Sequence, residues 1–249
     1  MAKQIGVFPI SGKLDNVCFY MTRFGPVVRK IGVVTKERYE SDPRFERRRN
    51  AASDFGYAGM LTRLLKAGVK QCCPQAGTGA THNRLMSALR KALLHDLTNG
   101  PGERKITSDN VRLLEGLSWR ERNAVQDVLN VSKIVLDAAG GSAALNVSSL
   151  IPAKDITLSG SATHVQLTLA LVAIDSDGKK ARSASDSSVM IALNEQNAMS
   201  VALSCTLEEY EGDFVVAGVG VQGYQMVGGT MVPLVDVGGF EIGAVGMVG

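Results

Sequence analysis

The sequence predicts an α+β protein: an N-terminal β arm or hairpin and a helical region, followed by an antiparallel β-sandwich. Charged, helix-favouring stretches fill much of the first part, whereas apolar residues recur with period two from about residue 150. The charge balance also turns over near residue 140. Residues 1–140 hold 23 of the 27 Lys/Arg and 13 of the 24 Asp/Glu, a surplus of +10; residues 141–249 hold four basic and eleven acidic side chains, a balance of −7. Three parts are expected: a β arm with a charged segment (1–50), a helical region (51–140) and the sandwich (150–249).

Residues 4–34 read as short strands. Val17, Phe19 and Met21 alternate with Cys18, Tyr20 and Thr22, and Arg23-Phe24-Gly25-Pro26 turns the chain into Val27-Val28-Arg29-Lys30-Ile31. Such a hairpin or meander must pack on something, because small isolated β units are marginal in water. Its alternate side chains Val17, Phe19 and Met21 are the expected contact. Residues 35–50 follow with interleaved charges of both signs, and Asp42-Pro43 reads as an N-cap followed by proline at the first helical position.

Leu61, Leu64, Leu65 and Val69 repeat at helical spacing and predict a helix over about 52–70. Gly56 and Gly59 lie inside it; glycine there costs about 1 kcal/mol relative to alanine, so both are expected to permit close backbone approach. Leu85, Leu89, Ala92 and Leu93 predict a second helix from Thr81 or His82 to Leu97, ended by Asn99-Gly100-Pro101-Gly102. One or two short helices are expected in 107–138, with Ser118 as a cap and Glu121 closing a capping box. Strands are then expected at 165–172, 189–193, 201–207, 214–219 and 240–242, separated by turn-rich segments such as Asp175-Ser176-Asp177-Gly178.

The chain has 249 residues, 45% of them hydrophobic and 20% charged, which excludes wholesale disorder. A net charge of +3 is too small to argue for nucleic acid over the whole chain. The first residues are broken by Pro9 and Ser11-Gly12, unlike a secretory signal, and no run approaches the roughly 18 apolar residues of a membrane span. Cys18, Cys72, Cys73 and Cys205 form no metal-finger spacing and read as thiols of a reducing compartment. A soluble, cytoplasmic protein is expected.

No motif carries convincing catalysis. Gly77-Thr78-Gly79-Ala80-Thr81-His82 resembles a phosphate loop but lacks its lysine and preceding strand; a helix N-terminus after glycines can still hold an anion, although loop and cap is the favoured reading. Gly218, Gly220 and Gly223 match the dinucleotide fingerprint formally, yet the sequence after them is strand-like. His82, His95 and His164 fall in different elements. Arg44, Arg47, Arg48 and Arg49, beside Phe45, have the strongest functional pull. Four guanidinium groups can grip phosphates, but Glu37, Glu40, Asp42 and Glu46 in the same stretch favour a salt-bridge network.

The stretches 10–20, Val28-Arg29-Lys30, Ser41-Asp42-Pro43-Arg44-Phe45-Glu46-Arg47 leading to Asn50 and Phe55-Gly56, and Ala162-Thr163-His164-Val165 with its following strand resemble a family of uncharacterised proteins from Bacteroidetes genomes. The resemblance is most distinctive over residues 10–60, and it implies no activity and no catalytic residues.

The expected role is a non-enzymatic structural subunit that self-assembles into a tube, filament or phage-like particle, its partners being copies of itself. The alternative is a nucleic-acid-associated protein acting through the basic segment 29–49. Arg29, Lys30, Arg44, Arg47, Arg48, Arg49, Phe19 and Phe45 are the candidate subunit or anion contacts. No catalytic residue, cofactor, metal, membrane or small-molecule substrate is expected.

Overall fold

The computed structural model describes residues 2–5, 10–32, 34–74, 77, 80–120, 125–129, 134–139, 141–158, 160–177, 179–208 and 212–247. The chain divides into two units, residues 1–49 and 50–249.

The first unit is a four-stranded antiparallel sheet and a charged segment. Strands β1 (Ala2–Lys3), β2 (Gly12–Leu14), β3 (Val17–Thr22) and β4 (Gly25–Lys30) lie in the order β1-β4-β3-β2. The tight turn between β3 and β4 is closed by the Thr22 hydroxyl, which donates to the Gly25 carbonyl at 2.8 Å. Helix α1 (Lys36–Ser41) starts at Thr35, whose hydroxyl accepts the Arg38 N–H, as expected of a threonine cap. Asp42 caps as the sequence predicts, but over a 3₁₀ turn, Pro43–Phe45, where its carboxylate accepts the Arg44 N–H at 3.0 Å. No described side chain of this unit is buried.

Helix α2 (Glu46–Cys72) begins at the end of this unit and runs on into the second. There it is joined by α3 (Thr81–Leu94), α4 (Ser108–Val111), α5 (Val125–Val128) and α6 (Pro152–Asp155). The strands are β5 (Ile134–Ala139), β6 (Ser142–Leu150), β7 (His164–Asp175), β8 (Lys180–Ser187), β9 (Ile191–Ala192), β10 (Met199–Thr206), β11 (Phe214–Val227) and β12 (Thr230–Met247). They form two antiparallel sheets, β12-β11-β7-β8 with β9 on the start of β7, and β10-β6-β5. The α+β reading with an antiparallel sandwich therefore holds.

Strand alternation places two cores on the two faces of the larger sheet. Leu167, Leu169 and Leu171 of β7 and Val215, Val219 and Val221 of β11 face the small sheet, meeting Leu145, Val147, Val201 and Leu203. Val172, Ile174, Phe214 and Val216 face the opposite way, onto Leu61, Leu65 and Val69 of α2 and Leu85, Leu89 and Leu93 of α3. Helices, large sheet and small sheet thus make three layers, and β7 is buried on both sides. Each buried leucine contributes about 1.5–3 kcal/mol, so the two cores dominate stability.

Several local expectations need correction. Gly56 meets nothing within 4 Å and Gly59 only the end of Met86; the close approach of α2 is at Gly68, which lies against Val172. A strand, β5, occupies part of 107–138, where only helices were expected, so the sheets begin before residue 150. Ser118 caps no helix: its backbone bridges Glu241 and its hydroxyl donates to the Arg120 carbonyl at 2.9 Å, while Glu121 lies outside the described residues. The N-terminal signature belongs instead to Thr107, whose N–H is bound by the Asn110 side chain at 2.9 Å. α3 ends at Leu94, three residues early, and the 189–193 strand shrinks to the two residues of β9. No helix among the described residues is long and apolar enough to cross a membrane.

Candidate subunit interface

The register of the N-terminal sheet sorts its side chains onto two unlike faces. Leu14 opposes Val17, Phe19 opposes Val28, Met21 opposes Pro26 and Val17 opposes Lys30, and opposed residues share a face. One face therefore carries Leu14, Val17, Phe19, Met21, Pro26 and Val28, with Lys30 at its margin. The other carries Lys3, Lys13, Cys18, Tyr20, Thr22, Val27 and Arg29, whose guanidinium lies 5.5 Å from the Tyr20 ring centroid. On the apolar face Leu14 is 70% exposed and Met21 61%. Val17, Phe19, Pro26 and Val28 on the same face are half-buried, and none of its described residues is fully buried.

The candidate arginines separate into two groups. Arg44 grips Asp42 with both Nε and Nη2, at 3.0 and 2.7 Å, and Arg38 approaches the same carboxylate at 3.6 Å. The Arg44 side chain and backbone N–H hold the Asp42 carboxyl well below the usual carboxylate range. Arg49 donates to the Tyr39 and Asp42 carbonyls at 2.7 and 3.1 Å, tying α2 to the end of α1. These two arginines are structural in geometry. Arg29, Lys30, Arg47 and Arg48 are exposed, and none makes an ion pair among the described residues. Arg48 lies 6.0 Å from the centroid of Phe45, which packs against Tyr39 at 5.6 Å. Phe19 sits half-buried in the middle of the apolar face.

Two cavities of the second unit adjoin glycines of the sequence motifs, Gly220 in one and Gly77 in the other. One, of about 220 Å³, lies between the end of α2 and the large sheet and is lined by Cys73, Gln166, Thr168, Ser187, Gln222 and Tyr224 among others. Its polar groups bind one another: the Tyr224 hydroxyl donates to Gln166 Oε1 at 3.1 Å and Thr168 Oγ1 lies 3.0 Å from Ser187 Oγ. Burial, with Cys72 adjacent, pushes the Cys73 thiol up to about 12, against a hydrogen bond to Thr168. The other cavity lies beside the start of α3.

The histidines stay apart. His95 Nδ1 lies 2.8 Å from the Lys91 carbonyl and His164 Nδ1 lies 2.9 Å from Thr163 Oγ1, each a local contact, while His82 is exposed in the first turn of α3. Gly218, Gly220 and Gly223 lie within strand β11, as its sequence context implies. Among the described residues no group of three His, Cys, Asp or Glu is placed to hold a metal ion. Comparison with protein-family models, with curated proteins and with solved structures finds no match to this chain.

Proposed function

We propose that this protein is a non-enzymatic structural subunit that assembles with copies of itself, into a tube, filament or phage-like particle, through its N-terminal sheet. The supporting observation is the face of Leu14, Val17, Phe19, Met21 and Val28, on which Leu14 and Met21 are exposed, the others are half-buried, and no described side chain is fully buried. Contiguous exposed apolar surface of this kind marks association surfaces. Charge fits the same reading. The first 49 residues hold eleven basic and five acidic side chains and residues 50–249 sixteen basic and nineteen acidic, so the two units carry net charges of opposite sign. Burying the apolar face supplies association free energy; the charges select orientation.

Light scattering and negative-stain microscopy of the purified chain test this reading. Ordered assemblies are expected, and Phe19→Asp with Met21→Asp should disperse them while leaving the melting of residues 50–249 intact. Dispersed wild-type monomers at all concentrations, or assemblies indifferent to both substitutions, overturn it.

Exposed Arg29, Arg47 and Arg48, without ion pairs among the described residues, support the second reading, contact with nucleic acid through residues 29–49; Arg29 lies over Tyr20 and Arg48 over Phe45. In that case the logarithm of affinity for a polynucleotide falls linearly with the logarithm of salt concentration. Absence of binding at low salt removes this alternative.

A further inference from the structure

We infer that the contact between copies is head-to-tail: the tip of the β11–β12 hairpin of one copy seats on the apolar face of the N-terminal sheet of the next, an inference that rests on the self-assembly proposed above. β11 pairs with β7 only as far as Tyr224, opposite His164, and residues 225–232 continue beyond it as a two-stranded ribbon. Its register sets Gln225 against Val232, Met226 against Met231 and Val227 against Thr230. Gly228 and Gly229 close it with φ of 57° and 85°, the two positive values that a type I′ turn requires. The base is fastened from one side: the Thr163 hydroxyl accepts the Met226 N–H at 3.1 Å, and the Ser161 hydroxyl donates to Gln225 Oε1 at 3.2 Å. The tip is a defined protrusion.

That protrusion is apolar and bare. Met226 is 48% exposed, Val227 55%, Val232 43% and Val235 73%; no residue from 225 to 235 is buried, and none of them is charged. A two-stranded ribbon is marginal in water, and an exposed strand without charge is adhesive unless something covers it. Charge decides what the cover is. Residues 183–249, which carry the hairpin, hold eight Asp and Glu and no Lys or Arg, and residues 160–164 at its base hold none of the four. The second unit as a whole has sixteen basic and nineteen acidic side chains, against eleven and five in the first. Pairing two N-terminal sheets would set a surplus of six positive charges against the same surplus, and pairing two hairpins would join segments that hold carboxylates and no cations. Hairpin on sheet buries both apolar surfaces and brings units of opposite charge together. Such a contact joins unlike surfaces, so its repetition gives a ring or an open filament instead of a closed pair.

Two full-length variants test the contact from its two sides. Phe19→Asp with Met21→Asp spoils the sheet, and Met226→Lys with Val232→Lys spoils the hairpin. Each alone should need at least about tenfold more protein than the wild type to assemble. At concentrations where each is dispersed, mixing them should give a one-to-one complex by size-exclusion chromatography with light scattering. The intact hairpin of the first variant meets the intact sheet of the second, and the spoiled surfaces left over cannot extend the chain. Circular dichroism checks that both fold; Met226→Gln with Val227→Thr, close in size to the originals, replaces the lysine pair if that pair disturbs folding. A hairpin variant that assembles like the wild type, or a mixture without the one-to-one complex, overturns the head-to-tail contact while leaving assembly through the sheet in place. Wild-type protein that never assembles removes both.

Discussion

Gly68 of α2 lies so close to Val172 of β7 that a single methyl group on the glycine would overlap the valine side chain. The helix is thereby seated directly on the large sheet, with Leu65 and Val69 buried on either side of the contact. Gly68→Ala should destabilise the protein by roughly 1–3 kcal/mol through overpacking. Gly56, exposed and with nothing within 4 Å, should behave oppositely, Gly56→Ala adding up to about 1 kcal/mol by helix propensity alone. Urea unfolding of the two variants measures both; equal effects would dissolve the distinction.

Asp96 ties down the segment that follows α3. Its carboxylate accepts the Lys105 and Thr98 N–H groups at 2.8 and 2.9 Å, and the Asn99 backbone and side-chain N–H at 3.1 and 2.8 Å. Burial opposes its ionisation, but these bonds together outweigh that and hold the pKa down to about 2. With the folded value below the unfolded one of about 3.9, the stabilisation is present above pH 4 and lost as pH falls towards 2. Asp96→Asn should lower the melting temperature at pH 7 and flatten the acid limb between those values. A variant melting like wild type at pH 7 contradicts this.

Glu241 behaves in the opposite sense. Burial raises its pKa above the ordinary 4.5; Gln126, donating to Oε1 at 2.6 Å, opposes the rise, and the nearby Asp127 charge adds to it. Its other oxygen is buried and has no hydrogen-bond partner among the described residues. A raised folded pKa means stability is fully present below the unfolded value and is lost as pH climbs through the folded one. Glu241→Gln should therefore raise the melting temperature at pH 7, the gain vanishing below pH 4. Calorimetric melts at both pH values provide the check.

Cys73 should be chemically quiet. A thiol pushed up to about 12 is almost wholly protonated at pH 8, and the thiolate is the nucleophile. Alkylation by iodoacetamide at pH 8, followed by mass spectrometry, should label Cys73 far more slowly than an unperturbed thiol. Labelling of Cys73 at the rate of an unperturbed thiol would contradict the raised pKa.

Much of the second unit could be read from residue spacing. Leu61, Leu64, Leu65 and Val69 mark α2, and Leu167, Leu169 and Leu171 mark the inner face of β7. The covered outer face left a subtler trace: Leu169 to Ile174 is an unbroken apolar run, the pattern of a strand buried on both sides. β8, Lys180–Ser187, escaped because its polar sequence shows no alternation and its place comes from pairing with β7. The two faces of the N-terminal sheet were half legible. Alternation at Val17, Phe19 and Met21 was visible, but register was needed to add Leu14, Pro26 and Val28 to the same side. The division of the arginines could not be read, because Arg49 meets Tyr39 through a backbone carbonyl, a contact that no local pattern encodes.

The backbone of residues 116–119 lies along β12, with Gly116 and Trp119 donating to the Ile242 and Phe240 carbonyls at 2.8 and 2.9 Å and Ile242 donating to Leu117 at 3.1 Å. Trp119 meets Phe240 edge-on at 5.2 Å, inside the core that also holds α2 and α3. During synthesis, the helices therefore emerge from the ribosome more than a hundred residues before the strand that finishes their packing. Contacts so distant in sequence slow folding, and the exposed helical face must persist in the nascent chain meanwhile. A ribosome stalled before residue 240 should hold a chain whose α2–α3 face remains open to chaperones, and release of β12 should close it.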